Sequence, residues 1–148
     1  MPSTYLSLHY HIVFSTKSRK RLIVPDWRQR LHEFLGGTVR GLGGVPEQIG
    51  GTDDHAHLLL GLKATHCLAD FMREVKKSSS GWVHNEMKED EFAWQEGYSG
   101  FTVSPTARHA VRRYILNQEA HHHKKTFREE LIELLELSGV QYDPKYLD

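Results

Sequence analysis

Asp53-Asp54-His55-Ala56-His57-Leu58-Leu59-Leu60 is the stretch on which the reading of this chain turns. The apolar run before Gly61 has the length and composition of a buried strand. Along a strand, residues two apart point to the same face. His55 and His57 therefore project together from one rigid element, and two imidazoles so placed can share one metal ion. Two ligands do not close a site, so a third ligand and the chemistry it serves must come from elsewhere in the chain.

Upstream, Gly50-Gly51-Thr52-Asp53 reads as a tight turn joining a short second strand, 45–50, to this third strand, 55–62. Residues 5–16 alternate and are rich in aromatic and β-branched types, which predicts a first strand. It carries Tyr10, Ile12 and Phe14 on one face and His9, His11 and Val13 on the other. His9 and His11 form a second His-x-His pair. His55 and His57 are preferred as ligands because acids adjoin them and a buried run flanks them. Lys17, Arg19, Lys20 and Arg21 follow without an acid among them and read as a basic loop. Pro25-Asp26 opens a helix with Asp26 as its cap. Trp27, Leu31, Phe34, Leu35, Val39 and Leu42 have helical spacing, and Gly41 to Gly44 ends the element.

Downstream, a second helix spans Leu68 to Met87, with Leu68, Phe71, Met72, Val75, Trp82 and Val83 as its buried stripe. Lys76 and Lys77, ahead of Ser78-Ser79-Ser80, form either a polar face or a phosphate-facing surface. After an acidic stretch, the aromatic segment Phe92 to Tyr98 leads to a fourth strand, 100–104. Ser104-Pro105 starts a third helix that runs through Tyr114 and Gln118 to His121-His122-His123-Lys124-Lys125, read as a solvated helix end. Thr126 caps a last helix, Phe127 to Leu137. The order β-α-β-β-α-β followed by two helices predicts one α+β domain over 1–148. Its architecture is ferredoxin-like: an antiparallel sheet with helices on one face, plus two C-terminal helices. In that topology the first and third strands are neighbours, which brings His11 close to His55 and His57.

Composition narrows the function classes. Nineteen basic residues balance nineteen acidic ones, which argues against a protein held to nucleic acid by bulk charge alone. Cys67 is the single cysteine, so an intramolecular disulfide and a cysteine-rich zinc site are excluded. No apolar run approaches the roughly 20 residues needed to span a bilayer. The strand-like N-terminus does not read as a leader, and a cytoplasmic protein is expected.

Tyr114 and Gln118 are four residues apart and lie on one face of a helix. A glutamine oxygen can ligate a hard cation such as Mg²⁺ or Mn²⁺. A hydroxyl one turn away can then attack a phosphate held by that cation. A tyrosine hydroxyl has a pKa near 10 and is a poor nucleophile alone. A divalent ion draws charge from the phosphate and fixes it for in-line attack. A tyrosine–phosphate bond preserves the energy of the broken bond, which suits strand transfer better than hydrolysis.

At these residues the chain resembles a known family. His55-Ala56-His57 is similar to the His-hydrophobic-His motif of HUH nucleases. Tyr114-Ile115-Leu116-Asn117-Gln118 resembles the tyrosine motif of the single-tyrosine transposases of small bacterial insertion sequences. Tyr10-His11-Ile12-Val13-Phe14 resembles that family's opening strand. Phe92-Ala93-Trp94-Gln95-Glu96-Gly97-Tyr98 is similar to the REP-associated tyrosine transposase branch. Ala56 is smaller than the apolar residue common at its position. The resemblance implies Tyr114 as nucleophile, His55, His57 and Gln118 as ligands to Mg²⁺ or Mn²⁺, and a 5′-phosphotyrosine intermediate. It further implies hairpin-bearing single-stranded DNA as partner and a homodimer with edge-joined sheets. In a neutral chain, Lys17, Arg19, Lys20, Arg21, Lys76, Lys77, Arg108, Arg112 and Arg113 would supply the phosphate contacts. Two rivals are carried forward: a catalytically silent binder of structured single-stranded DNA or RNA, and a sheet-based RNA-binding module. The second requires Tyr10, Phe14 or Phe101 to face solvent.

Overall fold

The computed structural model describes residues 3–147. Among them the chain forms β1 (His9–Ser15), α1 (Pro25–Gly41), β2 (Val45–Gly51), β3 (His55–Gly61), α2 (Leu68–Glu86) and β4 (Ser99–Thr102). It continues with α3 (Arg108–Leu116), α4 (Gln118–His121) and α5 (Phe127–Leu137). The strands make one antiparallel sheet in the order β2-β3-β1-β4. This is the expected α+β, ferredoxin-like arrangement, with β1 and β3 side by side in its centre. Their register pairs Val13 with His57 and His11 with Leu59, so the histidines of both strands share a face.

Alternation sorts the central strands between two layers. Ile12, Phe14, Ala56, Leu58 and Leu60 turn to one side and are sealed by Leu31, Leu35 and Val39 of α1 and Phe71, Met72 and Val75 of α2. The opposite side carries Val13 and is covered by Phe127, Leu131 and Leu135 of α5. The two C-terminal helices of the expectation thus form a second layer, α3 to α5, over the histidine face. Phe14 is fully buried, Tyr10 packs on the larger core and Phe101 on the smaller one. With all three under helices, the sheet-based RNA-binding reading fails.

Several boundaries differ from expectation for local reasons. β1 begins at His9 rather than residue 5, because His9 pairs with Gly61, the last residue of β3. Asp26 does not cap α1. Val24 is the N-cap residue, Pro25 takes the first turn, and Asp26 lies in that turn beside the positive helix end. The third predicted helix is broken: Asn117 leaves helical geometry with ψ 20°, separating α3 from α4. Thr126 caps α5 as expected, in a reciprocal pair with Glu129.

Two glycines let the site layer approach the sheet. A Cβ on Gly51, at φ +151°, would fall 2.2 Å from the His55 carbonyl oxygen, so the turn ahead of β3 closes only with glycine there. A Cβ on Gly50 would lie 2.5 Å from the carbonyl oxygen of Ile115 in α3. The Tyr114-bearing helix thus rests directly on the backbone of β2. Gly50→Ala should therefore lower stability by about 1–3 kcal/mol through overpacking, read from urea denaturation. An unchanged midpoint would mean that α3 yields at no cost.

His32 on α1 offers a clean acid probe. Its Nε2 is buried with no hydrogen-bond partner among the described residues. Burial first, and then the Arg28 cation, lowers its pKa from 6.5 to about 4. The unfolded chain binds this proton below about pH 6.5 while the folded chain refuses it until about pH 4. The stability this contributes is complete above the upper value and is lost as pH falls through the window. His32→Gln should flatten that acid loss, measured as the difference in urea midpoint between the two ends of the window. An equal loss in variant and parent would exclude His32 as a contributor.

Candidate active site

β3 sets the first two donors. His55 and His57 are both fully buried and point from the sheet towards the α3–α5 layer. The site's centre is a residue that sequence reasoning did not single out, Glu130 of α5, which is 1% exposed. Its Oε1 lies 2.9 Å from His57 Nε2, 3.1 Å from His122 Nε2 and 3.5 Å from His55 Nε2. Its Oε2 accepts hydrogen bonds from the Tyr114 hydroxyl and, at 2.9 Å, from Gln118 Nε2. The Gln118 Oε1 is 2.8 Å from His55 Nε2. Four of the expected site residues, Tyr114, His55, His57 and Gln118, therefore converge within a single chain.

Each ring is also held from behind. His55 Nδ1 lies 2.7 Å from Asp54 Oδ1, and His122 Nδ1 lies 2.7 Å from the Lys125 carbonyl oxygen. His57 Nδ1 lies 2.7 Å from His11 Nε2. His11 is thus a supporting residue of the site, behind His57, and His9 is elsewhere, 2.9 Å from Glu47. Glu47 also pairs with Arg108 at the start of α3.

Electrostatics follow from burial and from the carboxylate. Burial, reinforced by His57, lowers the His11 pKa to about 3. Burial also lowers that of His57 to about 4, against the pull of Glu130. Both rings are neutral at neutral pH and keep a lone pair for a partner. For Glu130, burial would raise the pKa, but hydrogen bonds from His122 and His57 outweigh it and hold the carboxyl well below the usual range. Burial opposes protonation of His122, yet its bonds to Glu130 prevail and raise its pKa. Burial and then Glu130 push the Tyr114 phenol far above its ordinary range, because an anion beside the hydroxyl disfavours phenolate.

The donor set fits a divalent cation. Asp54, whose pKa is lowered chiefly by the His55 hydrogen bond despite burial, is an anion at neutral pH and can only accept at His55 Nδ1. The Nε2 of that ring then faces the oxygens of Gln118 and Glu130, three atoms that a bound cation would draw together. The Nε2 or carboxylate atoms of His55, His57, His122 and Glu130 all lie within 4.8 Å of one another, as ligands of one ion must.

Other expectations are corrected. His121 and His122 are not a solvated helix end. They turn inward, His121 Nε2 reaching 3.4 Å from Glu130 Oε2, while His123 alone is exposed. Lys76 and Lys77 sit on α2, behind the opposite face of the sheet. The Lys76 ammonium donates to the carbonyls of Glu96 and Gly97, Ser79 is buried against Trp94, and Lys77 is exposed. Lys17, Arg19, Lys20 and Arg21 occupy a turn at the end of β1. Arg112 and Arg113 are exposed on α3. A cleft of about 580 Å³ beside His122 is lined by Arg21, Arg28, Lys124 and Lys125 among others. A second, of about 550 Å³, is lined by Tyr114, Lys124 and Lys125.

A family model described as Transposase IS200 like matches residues 4–118. A Deinococcus radiodurans R1 protein, whose crystal structure is described as that of a candidate transposase, superposes with a TM-score of 0.67 at 25% identity. The match covers 80% of this chain and 95% of that one. A REP-associated tyrosine transposase bound to a REP hairpin superposes with a TM-score of 0.61 at 14% identity, over 82% of this chain and 73% of that one. At that identity the likeness is one of fold. No curated protein sequence matches the chain. Among the described residues no helix is long and apolar enough to cross a membrane.

Proposed function

The chain belongs to the IS200-like transposase family, and on that premise we propose that it cuts and rejoins single-stranded DNA at hairpin-marked ends. Tyr114 is the nucleophile, and His55, His57 and Gln118 hold Mg²⁺ or Mn²⁺. The observation that carries this reading is the convergence of one phenol, one strand imidazole and one amide on a single buried carboxylate, with the second strand imidazole bonded to that amide. The ion supplies charge withdrawal from the scissile phosphate.

The chain's own residues do the rest. Asp54 and His11 fix the two strand rings, so their inward nitrogens keep one direction. Glu130 holds the Tyr114 hydroxyl beside them. The phenol oxygen forms a bond to phosphorus as the bond to the departing 3′ oxygen breaks. The phenol proton ends on that 3′ oxygen, leaving a 5′-phosphotyrosine and a free 3′-hydroxyl. Attack by another 3′-hydroxyl reverses the step and completes transfer. Lys17, Arg19, Lys20, Arg21, Arg112 and Arg113 contact phosphates, with Lys124 and Lys125 on the ridge between the two clefts. The structural likeness to a protein bound to a REP hairpin supports a hairpin partner. Two copies joined through sheet edges, at β2 or β4, belong to the same reading.

A silent binder of structured single-stranded DNA or RNA is the second reading. It is favoured by one observation: Glu130 engages the Tyr114 hydroxyl and raises its pKa, which opposes nucleophilic attack.

Incubation with hairpin-bearing single-stranded DNA and Mn²⁺ should give a protein–DNA adduct that survives a denaturing gel, and Tyr114→Phe should abolish it. Cleavage by the variant at the parent's site and rate would refute the tyrosine mechanism. Tight binding without any adduct would favour the silent binder. Separately, replacing Lys20 and Arg21 together by Glu should weaken hairpin binding and flatten its dependence on salt. Identical binding curves would remove the loop from the interface.

A further inference from the structure

His122 and Glu130 are the two site residues that the reading above leaves without a role at the ion. Their geometry gives them one. Three imidazole Nε2 atoms, of His55, His57 and His122, surround a single oxygen, Glu130 Oε1, at 2.9 to 3.5 Å. Neighbouring donors in a tetrahedral shell with metal–nitrogen bonds of about 2.0 Å stand roughly 3.3 Å apart. The spacing is therefore that of one coordination shell.

The three rings share a second feature. Each has its outer Nδ1 engaged: on the Asp54 carboxylate, on the Lys125 carbonyl, and on His11 Nε2. A carbonyl or a carboxylate can only accept, so His55 and His122 donate from Nδ1, which turns the Nε2 of each ring inward. Outer-nitrogen anchoring of this kind is what orients metal-bound histidines. Glu130 itself occupies a position on the apolar stripe of α5, between Phe127 and Leu131. A buried acid there is costly unless a cation or a set of donors meets it.

From these observations we infer that His122 and Glu130 are metal ligands, joining His55 and His57 in a site built entirely within one chain, which takes a first-row transition ion in preference to Mg²⁺ and does so without DNA. The inference rests on the proposed metal dependence and specifies its ligands. Preference follows from the donors. Three imidazoles suit the later ions such as Co²⁺ and Zn²⁺, and the carboxylate with the amide oxygen also accommodates Mn²⁺, whereas Mg²⁺ takes oxygen ligands and sheds water reluctantly. Gln118 adds an amide oxygen beside the same cluster, 2.8 Å from His55 Nε2.

The test is metal binding by the full chain alone. Mn²⁺ is titrated and followed by loss of the free-ion electron paramagnetic resonance signal, and Co²⁺ by its visible absorption. The parent should bind one ion, and a hundredfold excess of Mg²⁺ should leave it bound. Glu130→Gln and His122→Gln should each weaken Mn²⁺ binding by roughly tenfold or more and alter the Co²⁺ spectrum. Glu130→Gln conserves volume and an acceptor oxygen, and His122 lies at the rim with a side chain 11% exposed. Circular dichroism confirms that each variant is folded. His57→Ala, assayed alongside, should lose binding.

Parent-like Mn²⁺ affinity in both Gln variants, with loss in His57→Ala, would overturn the inference and leave the proposed function standing. Displacement by Mg²⁺, or no binding by the parent without DNA, would also overturn it. The adduct assay then decides the proposed function by itself.

Discussion

A carboxylate buried on the apolar face of a helix is the constraint around which the histidine side of this protein is built. Removing Glu130 from water costs several kcal/mol unless donors replace the lost hydration. The donors come from β3, from α3 and α4, and from the turn before α5. His57, Tyr114, Gln118 and His122 hydrogen-bond to its two oxygens, and His55 and His121 lie within 3.5 Å of them. β3 and the 114–122 segment are both tied to this one point on α5, so displacement of either exposes the charge to poorer company. The same carboxylate sets the chemistry around it, keeping His122 charged more readily and the Tyr114 phenol protonated.

That arrangement depends on how the sheet divides its labour. Because α1 and α2 take the alternate residues Ala56, Leu58 and Leu60, the residues between them are released to carry chemistry without opening the main core. The cover over the second face is brought close by absence of side chain at Gly50. It is registered by Glu47, which reaches both His9 of β1 and Arg108 at the start of α3. The tyrosine helix is thus positioned by β2 at both ends, through backbone contact at Ile115 and through an ion pair at Arg108. Side-chain precision at Tyr114 originates in one backbone contact and one ion pair that lie outside the site.

Much of this was legible from residue order. Periodicity and turn residues gave the β-α-β-β-α-β order, strand parity put His55 and His57 on one face, and the topology that order implies brought His11 close to them. The spacing of Tyr114 and Gln118 located the remaining donors. Glu130 was not legible as a site residue, because a lone acid in a helix has no motif and its neighbour Glu129 accounts for the capping signal. Its position on the stripe Phe127, Leu131, Leu135 was the available clue. His121 and His122 were misread because three consecutive histidines and two lysines have the composition of a solvated end. Only the break at Asn117, which no propensity strongly marks, turns them inward. Lys76 shows the converse: a basic residue in a promising cluster is recruited by two carbonyls on the far side of the sheet.

The two hydrophobic clusters differ in size. Among the described residues the apolar cluster on the α1–α2 side has sixteen buried members, and the one closed by α5 has four, three of them from α5 itself. Free energy of local opening follows the apolar surface released, so the two layers form cooperative units of unequal depth. Opening the sheet with α1 and α2 releases the larger apolar cluster, and detaching α5 releases only the smaller one. Glu130 lies on the shallower unit, while His55 and His57 belong to the deeper one. The cluster thus bridges two layers that part at different cost.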